Sequence, residues 1–200
     1  MVKHATITNK SIRIRIFVLL LTDYGNKGVE ALFEVGEFIV HPGQGVCEVA
    51  EIVEAPSPTY KLMPVGQRHP MLISFPVSGE ARLRRVLPAA EARALIEEYA
   101  DMPVDDYTDR SVALEEEHFK KVIKNGTCRD SVRVVKTFRQ RIAEVRARNK
   151  KPPVVYERIL KEAQTRSLSE LACALEVDKD AVVAFFESRV GNGAAEDFTS

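Results

Sequence analysis

The chain of 200 residues contains no tryptophan and only three cysteines, Cys47, Cys128 and Cys173. The cysteines are odd in number and far apart, and none belongs to a CxxC pair or to a Cys/His cluster with zinc-ligand spacing. The spacing therefore gives no support to a disulfide framework or a zinc site. We expect three buried thiols in a reducing, cytoplasmic setting, because free cysteine is usually a small core residue.

The chain also has no excess of charge, since 29 basic residues balance 29 acidic ones. Bulk electrostatics therefore do not favour a nucleic-acid partner, and only a local cluster of charge can do so. The apolar run with a basic flank, Ile12–Leu21, is too short to span a membrane, and no small-residue cleavage site follows it. We expect no membrane partner, and we expect residues 1–31 to be a poorly ordered extension without an assigned function.

Signatures of catalysis are missing as well. No glycine-rich phosphate loop leads from a strand into a helix, and no H-E-x-x-H or other paired spacing occurs among the histidines, His4, His41, His69 and His118. The acidic run Glu115–Glu117 is consecutive, so its side chains point to different faces of a helix and do not form a metal site. The sequence therefore predicts no enzyme, no metal and no cofactor.

Residues 32–87 have a hydrophobic period near two, which indicates short strands. A tight turn with Pro42, Gly43 and Gly45 separates the first two strands, and further proline and glycine breakers separate the rest. Five short strands of this kind predict a small SH3- or Tudor-like β-barrel domain. The predicted strands are Glu37–His41, Gly45–Val53, Thr59–Pro64, Met71–Pro76 and Arg82–Val86.

Residues 88–190 are richer in Ala, Glu, Leu and Arg, and their apolar spacing is helical. Asn125-Gly126 ends one helix, and Lys151-Pro-Pro153 separates two others. The predicted helices are Ala89–Ala100, Ser111–Asn125, Arg129–Asn149, Pro153–Arg166, Ser169–Glu176 and Asp178–Arg189. The fold class is therefore α+β, with a small β-barrel, an all-α domain and a disordered tail at residues 191–200.

The stretch from Phe33 to Val53, which begins F-E-V-G-E-F-I-V-H-P-G-Q-G-V, resembles the opening of the CarD/CdnL family of transcription regulators. The same module begins the polymerase-interacting domain of transcription-repair coupling factors. Three helical matches follow in the family's order: Lys124–Gly126, Val134–Phe138, and the pair Ile159–Ala163 with Glu170–Ala174. The resemblance implies a protein that docks on bacterial RNA polymerase and catalyses no reaction.

In the family, a strand of the β-domain and its neighbours bind the protruding lobe of the polymerase β subunit. Met71–Pro76 is the best candidate edge strand here, because apolar residues alternate along it and Pro76 ends it. The position two before the proline commonly holds a long side chain in the family and is serine here, which implies altered side-chain recognition with backbone pairing retained. In the alternative interpretation Ile73 and Phe75 are ordinary core residues. The predicted polymerase-binding residues are Leu72, Ile73, Ser74, Phe75 and Pro76.

The resemblance also implies contact with promoter DNA near the upstream edge of the transcription bubble. The family places a tryptophan wedge there, followed by a basic stretch. This chain has Val112 at the wedge position and the acidic run Glu115–Glu117 where the family is basic. Three carboxylates facing phosphate would repel DNA.

A basic strip lies further on, at residues 129–151, with nine basic and two acidic residues. Such a face positions phosphates without reading sequence, and the alternative is an ordinary solvated helix surface. The predicted DNA-binding residues, with the lysines that extend the strip, are Val112, Lys121, Lys124, Arg129, Arg133, Lys136 and Arg139.

The apolar pattern of Ser167–Phe186 is also typical of a helix-turn-helix. Its second helix offers few cations, however, so a plain helical hairpin is favoured. Two functions remain open. One is a monomeric, cytoplasmic regulator that binds the RNA polymerase β subunit and promoter DNA. The other is a polymerase-bound adaptor whose helices, or the C-terminal helical hairpin, bind another protein, or bind DNA without a wedge at the bubble edge.

Overall fold

The computed structural model describes residues 31–54, 56–190 and 198. These residues form an antiparallel five-stranded sheet followed by a helical region, which confirms the predicted α+β class. Apart from residue 31, the predicted N-terminal extension lies outside the described residues. The predicted tail lies outside them too, except for Phe198, which is buried against the rings of Tyr99 and Phe186.

The sheet has the strand order β4-β3-β2-β1-β5 and is open, so closure into a barrel is not confirmed. The predicted strand Arg82–Val86 was too long: a 3₁₀ helix, Val77–Arg82, leaves two residues for β5, and the N–H of Leu83 bonds the carbonyl of Glu80 at 2.8 Å. The strands are β1 (Phe38–His41), β2 (Gly45–Val53), β3 (Thr59–Pro64), β4 (Ile73–Pro76) and β5 (Arg84–Arg85).

Alternate residues of these strands build a hydrophobic cluster on one face of the sheet, as period-two patterning predicts. Its buried members include Ile39, Cys47, Val49, Tyr60, Leu62 and Phe75. Phe33 covers this cluster, and its N–H donates to the hydroxyl of Tyr60 at 3.3 Å. Phe33, the first residue of the Phe33–Val53 stretch, is therefore part of the sheet's core.

The turn between β1 and β2 contains Pro42, Gly43 and Gly45, as predicted. Gly45 has a φ of +80°, a backbone conformation that glycine adopts without steric cost. The Nδ1 atom of His41 accepts hydrogen bonds from the N–H groups of Gly43, at 3.0 Å, and Gln44, at 3.1 Å. This imidazole therefore closes the turn.

The described helices are α1 (Ala89–Glu97), α2 (Val112–Asn125), α3 (Cys128–Ala147), α4 (Val154–Leu175) and α5 (Lys179–Val190). The prediction of two helices at 153–166 and 169–176 was wrong, because α4 runs through without a break. Ser167 and Ser169 donate to the carbonyls of Ala163 and Thr165, one turn earlier, at 2.8 and 2.7 Å. Serines bonded in this way remain inside a helix.

The helical region has its own hydrophobic cluster, separate from that of the sheet. Val135, Phe138 and Ile142 of α3 are buried in it, so one face of that helix packs against the other helices. Of the three thiols, Cys47 and Cys128 are buried and Cys173 is half-buried. None of the described helices combines the length and apolar character needed to cross a bilayer.

Two arginines join the sheet to the helices through polar contacts. Arg84 of β5 binds the carboxylate of Glu170 with two nitrogens, and its Nε donates to the carbonyl of Gly126 at 3.3 Å. Arg166 of α4 donates to the carbonyls of Pro42, at 2.8 Å, and His41, at 3.0 Å. The β1–β2 turn is therefore fixed against α4.

Candidate functional sites

The strand β4 lies at one edge of the sheet, as the sequence predicted, and pairs with β3 on its other side. The N–H of Val77 donates to the carbonyl of Pro58 at 3.0 Å, and the register pairs Tyr60 with Phe75. Hydrogen-bonded pairs alternate in an antiparallel ladder, so Phe75 directs its main-chain groups at β3 and Ser74 directs its N–H and C=O outward. Pro76 has no N–H at the next outward position.

The five predicted polymerase-binding residues divide between the core and the surface. Phe75 is 5% exposed and Ile73 is half-buried against the same core cluster, as the alternative interpretation held. Leu72 is 54% exposed, and Ser74 and Pro76 are also exposed. The Oγ of Ser74 accepts a hydrogen bond from Lys61 at 2.8 Å, and Met71, just before the strand, is 79% exposed. The outward surface of this edge is therefore Met71, Leu72, Ser74 and Pro76.

The predicted wedge position, Val112, is the first residue of α2 and is 45% exposed. Leu114 is also exposed, so two aliphatic side chains, and no aromatic one, are presented at the start of this helix. Apolar side chains of this size can be inserted between base steps by DNA-binding proteins.

The acidic run Glu115–Glu117 follows, and its first carboxylate is buried inside the helical region. Glu115 is 3% exposed and is bound by Arg141 at 2.6 Å, and that guanidinium also donates to the carbonyl of Tyr107 at 2.7 Å. The helical period places Glu115 on the inward face of α2, where it forms a structural ion pair with Arg141. The three consecutive carboxylates differ in exposure, as their spacing along a helix predicted: Glu115 is buried, Glu116 is half-buried and Glu117 is exposed.

The other two carboxylates of the run are neutralised by neighbouring cations. Glu116 is bound by Lys120 at 2.7 Å and by Arg158 at 2.8 Å, and these hydrogen bonds lower the pKa of Glu116. Glu117 pairs with Lys121 at 2.8 Å, which lowers the pKa of Glu117 in the same way. This part of α2 therefore carries little unbalanced negative charge.

The predicted basic strip of α3 is not one continuous phosphate-binding face. Arg129 pairs with Glu98 at 2.5 Å, and Arg133 lies 3.9 Å from Asp130. The Nζ of Lys136 donates to the carbonyls of Tyr99 and Ala100, at 2.8 and 2.7 Å, at the end of the α1 segment. Cations at a helix C-terminus satisfy its last carbonyls, so Lys136 has a capping role.

The remaining predicted cations lie at different places. Arg139 is half-buried on α3, Lys121 is paired with Glu117, and Lys124 is exposed on the last turn of α2. The carbonyl of Lys124 accepts a hydrogen bond from Arg166 at 3.2 Å. Of the seven predicted DNA-binding residues, at least four therefore have partners within the chain: Lys121, Arg129, Arg133 and Lys136.

Ion pairs instead gather the start of α2, the end of α3 and the start of α4 at one end of the helical region. Arg141 of α3 reaches Glu115, Arg158 of α4 reaches Glu116, and Arg146 of α3 lies 3.6 Å from Glu157 of α4. The exposed cations at this end follow α3 along the chain. We call these cations, together with the two exposed aliphatic residues at the start of α2, the bundle-end surface. It comprises Val112, Leu114, Arg148, Lys150 and Lys151.

The three cations of the bundle-end surface were part of the basic strip but were not selected as binding residues from the sequence. The sequence feature that could have identified them is the run R-A-R-N-K-K before two prolines. The helix α3 ends within this run, so Lys150 and Lys151 lie in the connection to α4. What the sequence did not reveal is that Val112 lies at the same end, since this depends on contacts between residues far apart in the chain.

The helix-turn-helix interpretation gains no support from α5. Val182 and Phe186 are fully buried, and the ring of Phe186 contacts that of Tyr99 with centroids 5.3 Å apart. Among its described side chains the exposed charged residues are Lys179, Asp180 and Glu187. The described side chains of α5 therefore offer one exposed cation, Lys179, so a plain helical hairpin fits this helix better.

No protein-family model and no curated protein matches this chain. Within the described residues, no group of three or more His, Cys, Asp or Glu side chains could hold a metal ion. The function is therefore argued from the two surfaces themselves, the β4 edge and the bundle-end surface.

Proposed function

We propose that the protein is a transcription regulator that docks on the β subunit of RNA polymerase through β4. The observation that carries the proposal is the outward-pointing N–H and C=O of Ser74 on an edge strand. An edge strand of this kind adds a partner's strand by main-chain hydrogen bonding, which requires no long side chain at residue 74. The resemblance of Phe33–Val53 to the CarD/CdnL family supports this choice of partner, and we infer that the open sheet is a variant of the family's Tudor-like module.

The exposed side chains next to the ladder would supply specificity. Met71 and Leu72 form a small apolar surface at the start of β4, and Ser74 and Lys61 offer polar groups beside it. Main-chain pairing gives affinity without selectivity, while alternate side chains distinguish partners. The contact would therefore combine two or three main-chain bonds with burial of the two apolar side chains.

The bundle-end surface is the part of the helical region that we assign to promoter DNA. Arg148, Lys150 and Lys151 would bind phosphates, and Val112 and Leu114 would pack against unstacked bases at the bubble edge. Phosphate contacts of this kind fix position without reading sequence, so the binding is expected to be independent of promoter sequence.

The regulator would act by differential binding. Contacts that form only in the open promoter complex shift the equilibrium towards it by their own free energy, and about 1.4 kcal/mol changes an equilibrium tenfold. Because aliphatic residues take the place of the family's tryptophan, we expect a weaker effect on open complexes than an aromatic wedge would give.

Retention of the purified β lobe of the cognate polymerase by the immobilised full chain tests the docking step. Stoichiometric retention that survives about 0.15 M salt supports it, since surface charge alone is screened there. No retention would remove polymerase docking and the regulator function with it.

A second candidate is a polymerase-bound adaptor whose helical region binds a protein. The exposed Val104, Val112 and Leu114 favour it, because aliphatic side chains suit a protein interface as well as a base step. Retention of the β lobe without any binding of promoter DNA by the full chain would favour this candidate over the regulator.

A further inference from the structure

A cleft of about 380 Å³ lies between the β1–β2 turn and helix α4. One wall consists of residues 43–46 of the β1–β2 turn together with Val65, which follows β3. The other wall is a stripe of α4 residues at helical spacing: Arg158, Lys161, Glu162, Thr165, Arg166 and Ser169. A recess of this volume is within the range of small-molecule sites, which are about 300–1,000 Å³.

The cleft has more positive than negative charge. The acceptors of Arg166 are backbone carbonyls, those of Pro42, His41 and Lys124, so no carboxylate neutralises its charge directly. Its Nε atom is buried and has no hydrogen-bond partner among the described residues. Burial and then the neighbouring cation Arg84 lower the pKa of Arg166, and the charges of Glu170 and Glu162 oppose this change.

The other charged groups of the cleft leave this balance positive. Lys161 is exposed on the α4 wall. Arg158, beside it, forms an ion pair with Glu116 at 2.8 Å. Glu162 is the single carboxylate among the residues that line the cleft. An anion placed between Lys161 and Arg166 would therefore meet two cations and one carboxylate.

The rest of the lining suits the organic part of such a ligand. Val65 is 42% exposed and presents an apolar surface at the cleft. The hydroxyls of Thr165 and Ser169 donate to carbonyls of their own helix, so their oxygens retain lone pairs for ligand donors. Cations and hydroxyls on the α4 wall, with an apolar residue on the opposite wall, match a phosphorylated sugar or base.

We propose that this cleft binds a small phosphate-bearing molecule of mononucleotide size. The phosphate lies at Lys161 and Arg166, and the sugar or base packs against Val65. Such a ligand contacts both the β1–β2 turn and α4, and so it stabilises the junction between the sheet and the helices by mass action. This site does not depend on the proposed polymerase docking.

Isothermal titration of the full chain with pyrophosphate, adenosine monophosphate and guanosine monophosphate, in about 0.1 M salt, tests the proposal. We expect one saturable site and tighter binding of a mononucleotide than of pyrophosphate. Lys161→Gln is expected to weaken that binding about tenfold, which corresponds to about 1.4 kcal/mol for a lost charged contact. The side chain of Lys161 is exposed, so the variant should fold normally.

Arg93→Gln is the matched control, because it removes an exposed charge on α1 that does not line the cleft. Unchanged affinity in this variant supports a built site. Equal losses in the two variants, or no saturable binding of any of the three probes, would overturn the proposal. Equal affinity for pyrophosphate and both nucleotides would contradict the packing of a base or sugar against Val65.

Discussion

Arg84 of β5 and Glu170 of α4, 86 residues apart in the sequence, form a two-nitrogen, two-oxygen ion pair, with 2.6 Å between Nη2 and Oε2. The side chain of Glu170 is 1% exposed, so the carboxylate has left water almost completely. Hydrogen bonding and charge interaction with Glu170 raise the pKa of Arg84, although burial opposes this. The pair joins two regions whose hydrophobic clusters are separate.

Glu170→Gln is therefore expected to lower the free energy of unfolding by about 3 kcal/mol, because it leaves a partly buried guanidinium without its counter-charge. Urea denaturation measures this change. Glu117→Gln, which breaks the exposed pair with Lys121, is the control and should change the free energy of unfolding far less. Equal effects of the two substitutions would show that the Arg84–Glu170 pair has no special role.

Gly126, at the end of α2, is expected not to tolerate a side chain. A Cβ atom there would lie 2.5 Å from the carbonyl oxygen of Val122, which is a backbone atom that cannot move alone. Gly126→Ala should therefore destabilise the protein by about 1–3 kcal/mol, the usual cost of overpacking. Gly43→Ala is the control, since the nearest atom to its Cβ would be a His41 ring carbon at 3.5 Å. A stability loss as large in Gly43→Ala would contradict this explanation.

The free energy of unfolding should decrease as the pH is lowered, because of the protonation of His41. Burial and then the charges of Arg166, Arg82 and Lys124 lower the pKa of this imidazole from 6.5. The folded state thus favours the neutral ring, whose Nδ1 accepts two turn N–H groups. Its stabilising effect is complete above the unfolded pKa of about 6.5 and is lost as the pH falls through the lower folded value.

Thermal unfolding of the wild type and of His41→Gln, at about pH 7.5 and about pH 5, measures that contribution. The wild type should lose more stability between the two pH values than the variant does, since glutamine does not titrate. If both proteins lose the same amount, another group is responsible for the acid sensitivity.

Charge reversal at the bundle-end surface should weaken binding to promoter DNA. Each lost phosphate contact lowers the slope of log affinity against log salt by about 0.9, so Lys150→Glu with Lys151→Glu should reduce it by about 2. Arg129→Glu with Arg133→Glu makes the same change of net charge on the originally predicted strip and is the matched control. A larger loss in the control would return the DNA site to the first turns of α3.

The sequence predicted the local features of the sheet well. Alternation of apolar residues located the strands, and proline and glycine breakers located the turns between them. It also predicted β4 as an edge strand, because Pro76 has no N–H for a ladder. These properties depend on neighbouring residues, so periodicity and turn chemistry suffice to find them.

The partners of the charged side chains could not be predicted in this way. Glu115 and Arg141 are 26 residues apart, and Lys136 caps a segment that ends near Ala100. Both pairings depend on how the helices pack, and a count of charges along the chain does not contain that information. The break predicted between residues 166 and 169 is absent, because the hydroxyls of Ser167 and Ser169 bond to carbonyls of their own helix.

The central claim is that the main chain of Ser74 pairs with a strand of the polymerase β subunit, and Ser74→Pro tests it most directly. The N–H of Ser74 points away from β3, so proline removes the outward donor and leaves the β3–β4 hydrogen bonds in place. Ser74→Ala keeps that N–H and loses only the contact with Lys61. Measured affinity for the isolated β lobe should fall at least about tenfold in Ser74→Pro, corresponding to about 1.4 kcal/mol, and change little in Ser74→Ala. Wild-type affinity in Ser74→Pro would contradict strand pairing at this edge.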